Sequence, residues 1–259
     1  MMRPAIGIVI AMPSEARALF GRSGARRMRR RRIPVLSTGP DAQLLAICGG
    51  VGLDRARTAA DRLVMAGASA LVSIGLAGGL DDRLPSGHLV VASKVRLSGA
   101  RQGERAWCAH QDAAVAAYDV LAAAGAAVSR GPLLTAQRAV LSTRNKRTLF
   151  LRTQALSVDL ESAAVASAAQ QAGIPFFGLR AVCDTARQCV PQVLSDGLDS
   201  YGRIHLAVLL RALLVRPALA FDLMRMGRSF AVARRSLTLA WRLLQDRHVL
   251  FALLTAGSI

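Results

Sequence analysis

Two consecutive stretches constrain this chain more than any others. They are Ser157-Val-Asp-Leu-Glu-Ser-Ala-Ala-Val-Ala-Ser-Ala-Ala169 and Ile174-Pro-Phe-Phe-Gly-Leu-Arg-Ala-Val-Cys-Asp-Thr-Ala186. The first sets an acid, Glu161, at the start of an Ala-rich helix. The second sets another, Asp184, just after an apolar run that reads as a buried strand. A carboxylate at the end of a buried strand is costly unless something uses it. In open α/β sheets the carboxyl ends of strands are where ligands bind.

The rest of the chain reads as strands and helices in alternation. Residues 1–10 could imitate a short signal peptide, but Pro13, Ser14 and Glu15 follow at once with no cleavage region, so the apolar run 5–12 is expected to be a first strand leading into a helix. Strands are expected at 44–48, 68–76, 88–95 and 131–135, and helices at 54–65, 113–124 and 143–151. The polar stretch 98–111 reads as a loop. This order predicts a largely parallel sheet covered on both faces.

A length of 259 residues suits one α/β domain with an appendage. Hydrophobic residues make up 53% but aromatics only 4%, so Ala, Leu and Val must build the core. No uninterrupted apolar run reaches the ~18 residues of a spanning helix. The cysteines, Cys48, Cys108, Cys183 and Cys189, show no metal-ligand spacing, and zinc is not expected. Cys48 and Cys183 fall in apolar segments and read as reduced core residues of a cytoplasmic protein.

The formal charge of +18 calls for an anionic partner: nucleic acid, a membrane surface or a phosphate-bearing ligand. An Arg-rich codon bias contributes as well. The block Arg26-Arg-Met-Arg-Arg-Arg-Arg32 reads as a solvated loop or edge strand. From Tyr201 the composition shifts: residues 201–259 hold nine arginines and two acids, Asp222 and Asp246. We therefore divide the chain into a catalytic domain, 1–200, and a basic amphipathic helical extension, 201–259. Arg225, Arg228, Arg235 and Arg242 can share one helix face, with Phe221, Met224, Leu237, Trp241 and Leu244 on the other side. Such a helix either lies on a membrane surface or packs on the core or a second subunit. The excess of arginine tilts the reading towards membrane.

Several turns could carry chemistry. Gly75-Leu-Ala-Gly-Gly79 follows a strand, and its amides could approach an oxyanion or a sugar; in isolation it is more often a tight turn. Gly49-Gly-Val-Gly52 opens a helix bearing Arg55 and Arg57, and its amides with one arginine could hold a phosphate. Glu15 follows the first strand, where most glutamates simply favour a helix N-terminus. Asp184 has its own plain alternative, as the N-cap of Thr185-Ala-Arg.

Taken together and in order, five segments resemble the nucleoside phosphorylase/nucleosidase superfamily over residues 4–190. They are Ile6-Gly-Ile-Val-Ile-Ala-Met-Pro-Ser-Glu15, Gly50-Val-Gly52, Gly75-Leu-Ala-Gly-Gly79, Val158-Asp-Leu-Glu-Ser-Ala-Ala164 and Arg180-Ala-Val-Cys-Asp-Thr-Ala186. The resemblance implies a three-layer α/β fold with a central mixed, largely parallel sheet. It implies that Asp184 protonates or hydrogen-bonds purine N7, and that Glu161 binds the ribose hydroxyls with Leu160 packed under the sugar. Glu15 then orients a nucleophilic water. Ala77 and Gly78 belong to the nucleophile and ribose site, Arg138 and Ala139 lie near the base, and Gly50, Gly52 and Arg55 serve a phosphate. For its role Asp184 must hold or share a proton, which an apolar strand end favours.

The chain also departs from the nucleosidases. Leu76 stands where they carry Ser, Cys183 lies where Ser or Thr is usual, and Pro13-Ser14 replaces an acid-rich patch. These departures point to inorganic phosphate as co-substrate, with no other cofactor. With the basic extension, they resemble the hopanoid-associated phosphorylase branch, which implies phosphorolysis of a lipid-linked adenine nucleoside such as adenosylhopane. The expected reaction releases adenine and a ribose 1-phosphate, in a homo-oligomer peripheral to the inner face of the cytoplasmic membrane and without nucleic acid. The alternatives are hydrolysis of the methylthioadenosine/S-adenosylhomocysteine type and a non-catalytic basic membrane-binding protein.

Overall fold

The computed structural model describes residues 4–28, 35–38, 43–99, 106–197, 211–213 and 215–250. Arg29 to Arg32, residues 100–105 of the stretch expected as a loop, residues 198–200, and residues 201–210, 214 and 251–259 of the expected extension lie outside them.

The strands are β1 (Ala5–Ile10), β2 (Val35–Thr38), β3 (Gln43–Cys48), β4 (Ala68–Gly79), β5 (Leu89–Leu97), β6 (Ala106–Cys108), β7 (Val128–Thr135), β8 (Ser157–Asp159) and β9 (Phe176–Asp184). β1 is buried throughout, with Ile6, Ile8 and Ile10 in one core cluster and Ala5 and Val9 in the other. Alternate side chains of a strand point to opposite faces, so an unbroken apolar run belongs to a strand covered on both sides. β1 pairs in parallel with β3 and β4, β4 with β9, β5 with β7, and β7 with β8. The antiparallel pairings are β2–β3, β4–β8, β5–β6 and β5–β9. The sheet is therefore mixed, and the run β4–β9–β5–β7–β8 returns to β4, so this part closes on itself.

Helices complete the three layers. α1 (Pro13–Arg27), α3 (Gln111–Ala123) and the long C-terminal α7 (Leu219–Asp246) supply one core cluster. α2 (Leu53–Met65) and α5 (Ser162–Gln171) supply the other. α4 (Thr143–Thr153) lays Leu149 and Phe150 on a smaller cluster of Leu80, Leu134 and Val158. α6 (Gln192–Asp196) is a single short turn of helix.

Three local expectations change. Residues 106–108 form β6 rather than loop, because Trp107 is buried and its strand pairs with β5. Gly75 to Gly79 lie inside β4 rather than in a turn, since this segment is still paired to β8 and β9. The short β8 was not foreseen; three residues carry too little periodicity to announce a strand.

The tail helix resolves into two parts. Ala233, Leu237, Ala240, Trp241 and Leu244 are buried, and the Trp241 ring meets Phe20 of α1 edge-on at 5.1 Å. This half of α7 packs on the core. Towards its start, Phe221 and Met224 are exposed, as are Arg225, Arg228, Arg235 and Arg242 along its length. No described helix is long and apolar enough to cross a membrane.

Replacing Trp241 with alanine empties a fully buried site and should lower stability by about 3–5 kcal/mol, whereas Phe221→Ser should change it by less than about 0.5 kcal/mol. Urea denaturation of the two variants tests this. Equal losses would mean that α7 is not part of the cooperative core.

Candidate active site

The acids singled out in the sequence gather at one end of the sheet. Glu15 sits in the first turn of α1, just after β1; Asp184 ends β9; and Glu161 follows β8 at the start of α5. Gly78 is the pivot, paired with Val158 of β8 on one side and with Asp184 of β9 on the other. The parallel strands β1, β4 and β9 all present their carboxyl ends here, as expected of a ligand site in an α/β sheet.

Glycine makes room for the carboxylates. A Cβ on Gly75 would lie 2.6 Å from Glu15 Oε1, and one on Gly78 would lie 3.0 Å from Asp184 Oδ2. The glycines sit in β4 because two acid side chains fold across its backbone. Glu15 is 2% exposed and accepts from the backbone N–H of Leu76 at 2.7 Å and of Met12 at 2.8 Å. The second bond is helix capping, so the plain reading of Glu15 is present beside the functional one. Burial pushes its pKa up, against the pull of those amides and of Arg180.

Glu161 accepts from Gly52 N–H at 3.0 Å and from Leu160 N–H at 3.3 Å. Burial, helped by the nearby Asp159 charge and by Glu15, raises its pKa to about 7, against the lowering effect of Arg180 and the Gly52 amide. Gly50 and Gly52 both have φ near +100°, which suits glycine, but the Gly52 amide is committed to Glu161 rather than to an anion. Arg55 lies in the first turn of α2, half-buried. Arg57 pairs with Asp61 at 2.8 Å and turns to Gln171. Ala77 is buried in β4 and Leu160 is half-buried, whereas Arg138 and Ala139 are exposed on the bend between β7 and α4.

Asp184 is not the N-cap of a following helix, because turns rather than helix succeed it. Nor is it at a purely apolar strand end. The fully buried Lys146 of α4 donates to its Oδ2, and the Cys183 thiol donates to Oδ1 at 3.0 Å. Burial and the adjacent Asp184 charge push the Cys183 thiol well up in pKa. Beneath the site, Arg180 of β9 pairs with Asp159 at 2.7 Å and donates to Ser73 Oγ at 2.7 Å and Ser162 Oγ at 2.9 Å.

Lys146, Asp159 and Arg180 were given no role in the sequence reading. Asp159 and Arg180 lie inside the quoted motifs. Lys146 is hidden among Arg144, Arg147 and Arg152, and its only signal is a shared helix face with Leu149 and Phe150. Among the described residues no cluster of His, Cys, Asp or Glu could hold a metal.

The raised pKa of Glu161 has a direct consequence for stability. Between its ordinary value of 4.5 and about 7, the folded protein keeps a proton that the unfolded chain has released. Stability should therefore fall as pH rises through this window and level off above it. Glu15 acts in the same direction, so Glu161→Gln should flatten the fall without abolishing it. Urea midpoints at pH 5 to 8 measure this, and identical slopes for the two proteins would contradict the assignment.

Comparison with known proteins adds the family. The model of the phosphorylase superfamily matches residues 5–208. No curated protein matches the sequence. Among solved structures, the 5′-methylthioadenosine/S-adenosylhomocysteine nucleosidase of Helicobacter pylori, in complex with butyl-thio-DADMe-Immucillin-A, is similar with a TM-score of 0.68 at 16% identity, over 95% of this chain and 98% of that one. The futalosine hydrolase of the same organism gives 0.68 at 15%, over 94% and 98%. The Neisseria meningitidis 5′-methylthioadenosine/S-adenosylhomocysteine nucleosidase, in complex with methylthio-immucillin-A, gives 0.65 at 18%, over 93% and 99%. These likenesses establish a common fold, and with the family match over most of its length, the chain belongs to the phosphorylase superfamily, whose members cleave N-glycosidic bonds.

Proposed function

We propose that the chain cleaves the bond between adenine and ribose in a nucleoside bearing a 5′ substituent. The observation that carries this reading is that Gly78 pairs on one side with Val158, three residues before Glu161, and on the other with Asp184, so that both acids leave the sheet at the same end. Cleavage builds positive charge on the ribose ring and negative charge on the departing base. Glu161 accepts the ribose hydroxyls and stabilises the former, with Leu160 beside it under the sugar. Asp184 meets the purine at N7 and relieves the latter. Glu15, between Arg180 and the Leu76 amide, directs the nucleophile.

We take that nucleophile to be water. Among the described residues of the site, the cations Arg180 and Lys146 are already paired with Asp159 and Asp184. Such pairing opposes the entry of a phosphate dianion. Phosphorolysis to adenine and a ribose 1-phosphate is the second reading; the half-buried Arg55 beside Gly50 and Gly52 supports it. Adenine release from 5′-methylthioadenosine, followed with and without inorganic phosphate, separates the two. We expect equal rates in phosphate-free buffer and free 5-methylthioribose as the product. A rate that requires phosphate would reverse the choice, and no release from any 5′-substituted adenosine would remove the reading.

The 5′ substituent we propose to be apolar, as in a lipid-linked nucleoside such as adenosylhopane, presented at a membrane surface during hopanoid biosynthesis. A cleft of about 630 Å³ supports this: Val190, Val193, Val215 and Leu219 line it together with Arg211 and Arg216. Val215 is 81% and Phe221 69% exposed, next to arginines that suit anionic headgroups. The protein should float with vesicles of anionic phospholipid, and the double variant Phe221→Ser, Met224→Ser should lose most of that binding while keeping its activity on soluble nucleosides. Unchanged flotation would place any membrane contact elsewhere.

A further inference from the structure

Lys146 is a lysine with no access to solvent. Its ammonium donates to Asp184 Oδ2, to the carbonyl of Thr185 at 2.9 Å and to that of Gln188 at 2.9 Å. These three bonds use all its protons. They tie α4, anchored by Ser142 at its N-cap, to the segment that follows β9. A lysine is almost never buried so completely unless it is paired, and a neutral side chain of similar size would be easier to bury. The carboxylate it faces is the one proposed to meet the departing base. With Oδ2 accepting from the ammonium, the nearest proton available to this carboxylate is one of the lysine's. Its other oxygen is held by the Cys183 thiol, a poor donor at neutral pH because its pKa is pushed well up.

We propose that Lys146 is the positioning residue of base activation, and that the proton reaching the purine belongs to the Lys146–Asp184 pair rather than to a neutral Asp184. This rests on the reading of Asp184 as the group that meets N7. As the C1′–N9 bond breaks, its electron pair passes to the purine ring. The Lys146 ammonium gives one proton to Asp184 Oδ2 and the carboxyl so formed passes that proton to N7, so that the pair ends as a carboxylate and a free amine. After the base leaves, water returns a proton to the partly accessible Asp184, and the carboxyl passes it back to the buried amine. Lys146 never touches the substrate; it acts through Asp184, and the three bonds that fix it also fix the carboxylate's orientation.

The test is a double-mutant cycle on adenine release, with kcat and KM resolved. Lys146→Met should lower kcat by about 10²-fold, the scale of general acid catalysis, and leave KM within about threefold. In the Asp184→Asn background the same change should have no further effect, because both residues act in one step. Lys146→Gln keeps a donor for the two carbonyls but no transferable proton, and should be as slow as Lys146→Met; if the methionine variant does not fold, the glutamine variant carries the test. Recovery of the wild-type rate in Lys146→Gln would show that Lys146 only braces the loop, and losses that multiply with Asp184→Asn would show that it acts independently of the acid. Either result overturns the proposal. Wild-type protein that releases no base from any adenosine would instead remove the parent reading, and this proposal with it.

Discussion

The buried Arg180–Asp159 pair is the constraint around which the site is arranged. Arg180 comes from β9, Asp159 ends β8, and the side chains that complete the network, Ser73, Ser162 and Thr135, come from β4, α5 and β7. One guanidinium and one carboxylate thus tie together four strands of the closed part of the sheet and the first turn of α5. Asp159 also accepts from the Ser162 amide at 3.2 Å, which sets where α5 begins and so where Glu161 stands. A buried ion pair is a weak source of net stability, but leaving either partner alone is severely unfavourable. The pair therefore selects one arrangement of these strands more than it strengthens the fold.

On this frame the site's electrostatics are divided in two. On one side, Glu15 and Glu161 sit within the influence of a single shared guanidinium, and burial moves both towards their neutral forms. On the other side, Asp184 has a cation of its own. The acid proposed to meet the departing base is thus the one paired with a cation, which is why the proton is assigned to that pair. Backbone amides of Met12, Leu76 and Gly52 supply the remaining partners, so the acids are held by main chain that the sheet itself fixes.

Much of this was legible in the residues. The unbroken apolar run of β1, the alanine-rich α5 and the acids at the ends of strands follow from periodicity and from the cost of burying charge. The glycines of β4 were seen but read as a turn, because a glycine that makes room for a carboxylate and a glycine that permits a positive φ look the same in a sequence. Lys146 was passed over because it lies among arginines that face solvent, and only its place on α4 relative to β9 turns it inward. The expectation that an apolar strand end surrounds Asp184 failed for the same reason.

The tail divides along the same line. By composition it is basic and amphipathic, and either a membrane or the protein's own core could have taken its apolar side. The packed structure gives Leu237, Trp241 and Leu244 to the core and leaves Phe221 and Met224 outside. The sequence by itself determined the order of strands and helices, the faces that had to be buried and the family to which the motifs belong, because these depend on local pattern. Which cation meets which acid was decided only by the tertiary structure, since partners such as Lys146 and Asp184, 38 residues apart, are matched by the crossing of elements and by nothing in the chain between them.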